Sequence, residues 1–313
     1  MHFRACVLSL FALLPARAAE TPVVMPVERV ATNIYVVVAP TGALPDARNK
    51  GWVANSAFVV GKDGVLVIDT GASGSIGHGL QAAIASVTDL PVRWIVLTHG
   101  HADHVLGTAV LATAKTEIWS SAATRERIER DGAAWVERLQ RQTGGASGRS
   151  TVVVPTHVVE AWTSVSFGDI RVDLRPVAAA HAPGDLMVWL PKNKILFSGD
   201  VVSVERTPVL ADARVQPWIA ALKEIEDLGA PTVIPGHGPV GSGIAVRRQR
   251  AYLEDLWKVV EEGQAGGQAS HDLVPRVRTL MANRHATYFP DFELHLEETV
   301  KVVFAQVQAS RSK

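Results

Sequence analysis

Between His99 and His104 the chain reads His-Gly-His-Ala-Asp-His, directly after the apolar run Trp94-Ile95-Val96-Leu97. At the end of a strand the side chains at i and i+2 leave on the same side, so His99 and His101 can grip one cation. The chain then turns, and Asp103 and His104 can reach a second. Chance would place such a run in fewer than about one chain in a thousand of this length. Four donors packed this tightly need further ligands from distant segments, so the fold must bring several strand ends to one edge.

Three more candidates each follow an apolar run. His181 comes after Val172–Ala180, Asp200 after Ile195-Leu196-Phe197-Ser198-Gly199, and His237 after Val233-Ile234-Pro235-Gly236. Seven donors suffice for two ions: His99, His101 and His181 on one, Asp103, His104 and His237 on the other, with Asp200 bridging them. Imidazole and carboxylate without thiolate suit Zn²⁺ first, with Fe or Mn as substitutes. Each ion then keeps an open position for a shared water. Asp69, at the end of Val65-Leu66-Val67-Ile68, is placed to accept a hydrogen bond from a ligand imidazole and fix its tautomer. Asp185 either supports the site or pins its own turn. His2, His78, His157, His271, His285 and His295 have no comparable setting and are left out.

The patterning around these residues predicts a layered α/β chain. β-Branched runs bounded by Gly, Pro or Asp predict strands at 34–38, 56–60, 65–68, 93–97, 151–154, 170–177, 186–190, 194–197 and 232–234. Helical spacing marks 77–87, 105–114, 122–142 and 218–228. Turn signals at Gly61-Lys62-Asp63-Gly64 and Pro191-Lys192-Asn193-Lys194 predict hairpins, hence mixed sheets. Helices are expected at 245–262, 271–283 and 292–308, giving a main domain over 19–242 and a C-terminal helical extension over 243–313. The stretch 39–54, with Trp52, is longer than a turn needs and is a candidate cover for the site.

Residues 1–18 read as a signal peptide: Arg4, an apolar stretch from Ala5 to Leu14, then Ala16-Arg17-Ala18. The lone Cys6 would leave with it, and the product is expected to be periplasmic or secreted. Lys+Arg and Asp+Glu number 31 each, so cleavage, which removes two arginines, leaves 29 against 31. A charge near zero without basic runs points away from nucleic acid, and no stretch reaches membrane-spanning length. A small-molecule substrate is the expected partner.

Taken together, Asp69-Thr70-Gly71, the 99–104 run, His181, Asp200 and His237 resemble the metallo-β-lactamase superfamily from about Val30 to Val240. The resemblance implies an α/β fold, a four-layer αβ/βα sandwich with mixed sheets and a metal cleft at one edge, extended here by the C-terminal helices. Asn33-Ile34-Tyr35-Val36, Ser198–Val202, Glu205-Arg206-Thr207-Pro208 and Pro235–Gly238 look closest to the exported zinc metallohydrolases of sulfur-oxidation and quinoprotein systems (SoxH-type), which would add a protein partner in an exported redox system. It implies a dinuclear zinc hydrolase whose metal-bridging hydroxide attacks an ester, thioester, amide or related bond, with Asp103 as the catalytic carboxylate. Family β-lactamases carry Cys or Ser where this chain has Asp200, which argues against a dedicated β-lactamase and leaves a promiscuous one open. His101 argues against the flavodiiron-type proteins, which carry Glu there. Iron-dependent persulfide dioxygenases of the same fold and a non-catalytic metal-stabilised partner remain alternatives. Arg48, Lys50, Trp52, Arg206, Arg284 and Tyr288 lie on segments that could overhang the cleft, and no substrate contact is assigned.

Overall fold

The computed structural model describes residues 23–177 and 179–311. The expected signal peptide, with His2 and Cys6, lies outside the described residues. In chain order the elements are β1 (Val27–Ala31), β2 (Ile34–Val37), β3 (Ser56–Val60), β4 (Val65–Ile68), α1 (Gly74–Ala85), β5 (Val92–Val96), α2 (Ala102–Val105), α3 (Thr108–Leu111), β6 (Glu117–Ser121) and α4 (Ala122–Gln142). There follow β7 (His157–Val159), β8 (Thr163–Phe167), β9 (Ile170–Pro176), β10 (Leu186–Leu190), β11 (Ile195–Ser203), α5 (Val215–Leu228), β12 (Thr232–His237), α6 (Gly243–Ala265), α7 (Ser270–His285) and α8 (Leu296–Arg311).

The strands form two mixed sheets, β1-β2-β3-β4-β5-β6-β7 and β12-β11-β10-β9-β8. Both expected hairpins form: β3 pairs antiparallel with β4, and β10 with β11. Pairing from β4 through β7 is parallel, as is β11 with β12.

Strand sequences explain the four layers. β4 is buried throughout because it has a hydrophobic layer on each face. Its Leu66 and Ile68 join Val96, Leu174, Val188 and Phe197 between the sheets. Val65 and Val67 face the other way, against Ile76 and Leu80 of α1 and Trp135 of α4. On the far side of the second sheet, Met187 and Trp189 pack with Trp218 of α5, Leu256 of α6, Val277 of α7 and Val303 of α8. The C-terminal helices therefore share one core with α5 and the sheet beneath them.

One expected strand is absent. Residues 151–154 pair with no strand, because Val152 lies against Gly132 of α4 and the run packs into the helical layer. β1 and β6 lacked a legible pattern: Glu28 and Arg29 of β1 are exposed, and β6 ends in two buried serines.

Candidate metal centre

The seven candidate donors meet at one edge of the sandwich. β5 delivers His99 three residues past its end. His101 caps α2, which carries Asp103 and His104. His181 follows β9, and His237 is the last residue of β12. Asp200 lies inside β11, which runs on to Ser203. The register of β11 against β12 shifts at Gly199, whose left-handed φ of 51° bends the strand and turns the next side chain toward the site.

The ligating atoms fall into two groups, His99, His101, His181 and Asp200, and Asp103, His104 and His237, each within 4.8 Å of one another. Asp200 reaches both. Its Oδ2 is 3.4 Å from His181 Nε2 and 3.1 Å from His237 Nε2, and its Oδ1 is 3.3 Å from His104 Nε2. His101 presents Nδ1, 3.0 Å from both His99 Nε2 and His181 Nε2.

Each imidazole is held from behind, and that sets where its proton sits. Thr98 Oγ1 donates to Asp69 Oδ2 at 2.7 Å and so accepts from His99 Nδ1 at 3.1 Å. His104 Nδ1 donates to Asp69 Oδ2 at 2.8 Å. The backbone carbonyls of Val209 and Val53 accept from His181 Nδ1 at 3.2 Å and His237 Nδ1 at 2.7 Å. His101 Nε2 faces Asp212 Oδ2 at 2.9 Å. With a proton directed to each of these outer partners, the opposite ring nitrogens would present lone pairs inward, beside two carboxylates. His104 Nε2 and Asp200 Oδ1 are buried without a hydrogen-bond partner. A cluster of inward acceptors with orphaned buried atoms is a cation hole, so the donor set fits a divalent metal site.

The electrostatics agree. Burial works to raise the Asp200 carboxyl, but His237, His104, His181 and His99 outweigh it and hold it well below the usual carboxylate range. Burial likewise works to lower His104, yet Asp200, Asp103 and Asp69 raise it well above the ordinary histidine value. Burial brings His181 down to about 3. The carboxylates thus call for positive charge at the second group, which a cation satisfies better than protons.

Asp69 takes three buried hydrogen bonds, from Thr98 N, Thr98 Oγ1 and His104 Nδ1. Its φ of 55° is left-handed, which Asn tolerates as well as Asp, so Asp69→Asn changes the chemistry and leaves the backbone unstrained. The amide sets a donor against a donor. We expect a loss of about 1–3 kcal/mol in urea unfolding of the metal-free protein. Zinc affinity, read by chelator competition, should weaken about 10–100-fold. An unchanged affinity would remove Asp69 from the support of His104.

Other expected residues sort clearly. Asp185 Oδ2 accepts from Ala182 N at 2.9 Å and pins the turn after His181, and burial pushes its carboxyl up to about 7. Arg48 pairs with Asp46 on the outer part of the 39–54 loop, and Arg284 pairs with Asp255. Trp52 is buried in the helical layer, so the loop's end forms a wall of the site through Val53. Tyr288 stacks under Arg248, beside a neighbouring cavity. Arg206 alone of these lines the ≈160 Å³ cavity over the donors, with His101, Asp103 and Thr207. The sequence reading missed Asp212 and Arg127, whose guanidinium donates to Asp212 at 2.7 Å.

The chain is 28% identical over 200 residues to the Beta-lactamase-like protein 2 homolog of Caenorhabditis elegans, a match covering 62% of this chain and 58% of that protein. It is 21% identical over 215 residues to the linear primary-alkylsulfatase of a Pseudomonas species, covering 58% of this chain and 40% of the relative. The chain thus spans well under two thirds of the length of these relatives. The structure of a metallo-beta-lactamase from Pontibacter korlensis superimposes with a TM-score of 0.60 at 20% identity, over 74% of this chain and 99% of that one. The family model of the metallo-beta-lactamase superfamily matches residues 49–237, which contain all seven donors and more than half of the chain. With the two-sheet sandwich and the edge cluster in place, that match makes the chain a member of the metallo-beta-lactamase superfamily.

Proposed function

We propose that the chain is a dinuclear zinc hydrolase, exported to the periplasm and acting on a small anionic substrate. The observation that carries this reading is the convergence of five imidazoles and two carboxylates, in two groups, beneath an open cavity. His99, His101 and His181 would hold one cation, Asp103, His104 and His237 the other, with Asp200 between them. Two such cations supply Lewis acidity, bringing the pKa of water from 15.7 toward about 7 and polarising a substrate oxygen. Asp103, a quarter exposed at the cavity while its Oδ2 lies 3.4 Å from His237 Nε2, is placed to orient a water and take its proton.

Arg206 supplies the preference for an anion. Its Nη1 lies 2.7 Å from His237 Nδ1, and its guanidinium, always charged, lines the cavity over the donors, where an anionic group would meet it. Among the described residues it forms no ion pair, although two carboxylates line the same cavity. A carboxylate or sulfate on the substrate would complete it. Arg206→Ala should raise KM for an anionic substrate about 10–100-fold while leaving KM for an uncharged ester and the zinc content unchanged. Equal losses on both substrates would remove Arg206 from recognition.

The subgroup resemblance adds a protein partner in an exported redox system, and it is part of this proposal. The test of the whole reading is metal content per chain, measured with turnover of a thioester, an alkyl sulfate, a phosphodiester and a chromogenic β-lactam on one sample. The sulfate and the lactam are included because relatives and a structural neighbour bear those names. Two zinc per chain, and one substrate turned over until chelation, is the expected result. One iron per chain with no hydrolysis would overturn it in favour of an oxidoreductase.

A further inference from the structure

Two of the three imidazoles in the first donor group are held from behind by a single loop, residues 204–214, that belongs to neither sheet. His181 Nδ1 donates to the Val209 carbonyl, and His101 Nε2 donates to Asp212. Asp212 is itself fixed by Arg127 of α4 at 2.7 Å. The His101 side chain is 24% exposed and Asp212 35% exposed, whereas His99 and His104 are wholly buried. His101 packs against the His99 and His181 rings on one side only, so on its open side the hydrogen bond to Asp212 holds its orientation.

The loop is in turn tied at both ends to the C-terminal helical region. Near its start, Asp291 Oδ1 accepts from Thr207 N and Thr207 Oγ1, both at 2.7 Å. At its end, Gln306 of α8 accepts from Val215 N at 3.0 Å and donates to the Ala213 carbonyl at 2.8 Å. Arg214 N also bonds to the Ala180 carbonyl at 3.0 Å, next to His181. Among the described residues, Gln306 is the only side chain bonded to the backbone on both sides of Arg214.

We propose that Asp212 is the positioning residue of His101, and that the C-terminal helices, through Asp291 and Gln306, set the register of the loop that carries it. The extension then acts on the metal centre without touching it. This rests on the reading of His101 as a ligand. An ion pair this exposed contributes little to folding, so the effect should appear in affinity and geometry and not in the melting temperature.

The test is zinc affinity of the full chain by competition with a chromogenic chelator, alongside the visible spectrum of the Co²⁺-loaded protein and the melting temperature of the metal-free protein. Asp212→Ala should weaken zinc binding about 10–100-fold and shift the Co²⁺ bands, with melting nearly unchanged. Asp212→Asn, whose Oδ1 can still accept from His101, should recover part of the affinity. Gln306→Ala should move affinity the same way by several-fold. Gln306→Glu keeps the acceptor for Val215 N and serves if the alanine variant folds poorly. Arg278→Ala, which breaks only the 2.8 Å surface pair with Glu293, should change neither reading. Unchanged affinity and spectrum in Asp212→Ala would overturn the positioning role, and a Gln306 variant that moves only the melting temperature would overturn the role of the helices. A wild-type chain that binds no zinc would overturn the ligand reading itself, a result distinguishable from both.

Discussion

Asp200→Asn is expected to lower metal content from two ions per chain to one or fewer and to cut kcat/KM by about 10³-fold or more, some 4 kcal/mol of transition-state stabilisation. The substitution preserves shape and removes only charge, so the circular dichroism spectrum should be unchanged. Asp200 is singled out because its two oxygens lie 3.1–3.4 Å from His237, His181 and His104, which belong to both donor groups. Its carboxyl is held well below the usual range against the pull of burial, by the histidines around it. A neutral amide cannot supply the negative charge that two adjacent cations would share at the proposed dinuclear site. Asp103→Asn is the comparison. Asp103 belongs to the second group alone, so its loss should remove one ion and leave the other. Two ions retained in Asp200→Asn would sink the bridging role, whatever happened to turnover.

Much of this centre was legible in the sequence because its donors lie where chain direction is predictable. The 99–104 run needed no tertiary information, since a strand end and a turn fix how four adjacent side chains diverge. Asp69, His181 and His237 could be read because each terminates or closely follows an apolar run, and such ends gather at one edge. By sequence alone Asp200 follows a short strand. The strand in fact continues through it, because the bend at Gly199 lets pairing resume. Asp212 and Arg127 carried no signal. Arg127 sits at the flank of a long amphipathic helix among surface charges, where sequence cannot tell a paired arginine from a solvated one, and Asp212 sits in a loop bonded to residues 291 and 306. The expected strand at 151–154 failed for a related reason. Its Val152 packs over Gly132 in the helical layer and the run finds no strand partner, a choice that β-branched patterning cannot express.

Gly238→Ala should destabilise the protein by about 2–5 kcal/mol in urea unfolding and also strip metal from the second donor group. Two costs act at this position. Its φ of 86° is left-handed, and adopting it costs a residue with a Cβ about 1–2 kcal/mol. The added Cβ would also lie 1.7 Å from the Val204 carbonyl oxygen, a backbone atom that cannot rotate away. Relief requires the end of β12 and the start of the 204–214 loop to separate. That would break the 3.0 Å bond from Val204 N to the His237 carbonyl and the 2.8 Å bond from Asn55 Nδ2 to the Gly238 carbonyl. His237 would be drawn from its place facing Asp200, and Arg206 would move with the loop. Gly229→Ala separates the two costs. Gly229 has a φ of 65° at the end of α5 with nothing within 4 Å of the added carbon, so it should show the backbone cost of about 1–2 kcal/mol and no change in metal content. If both variants lost the same stability and kept the same metal, the close approach of β12 to Val204 would have no part in holding His237.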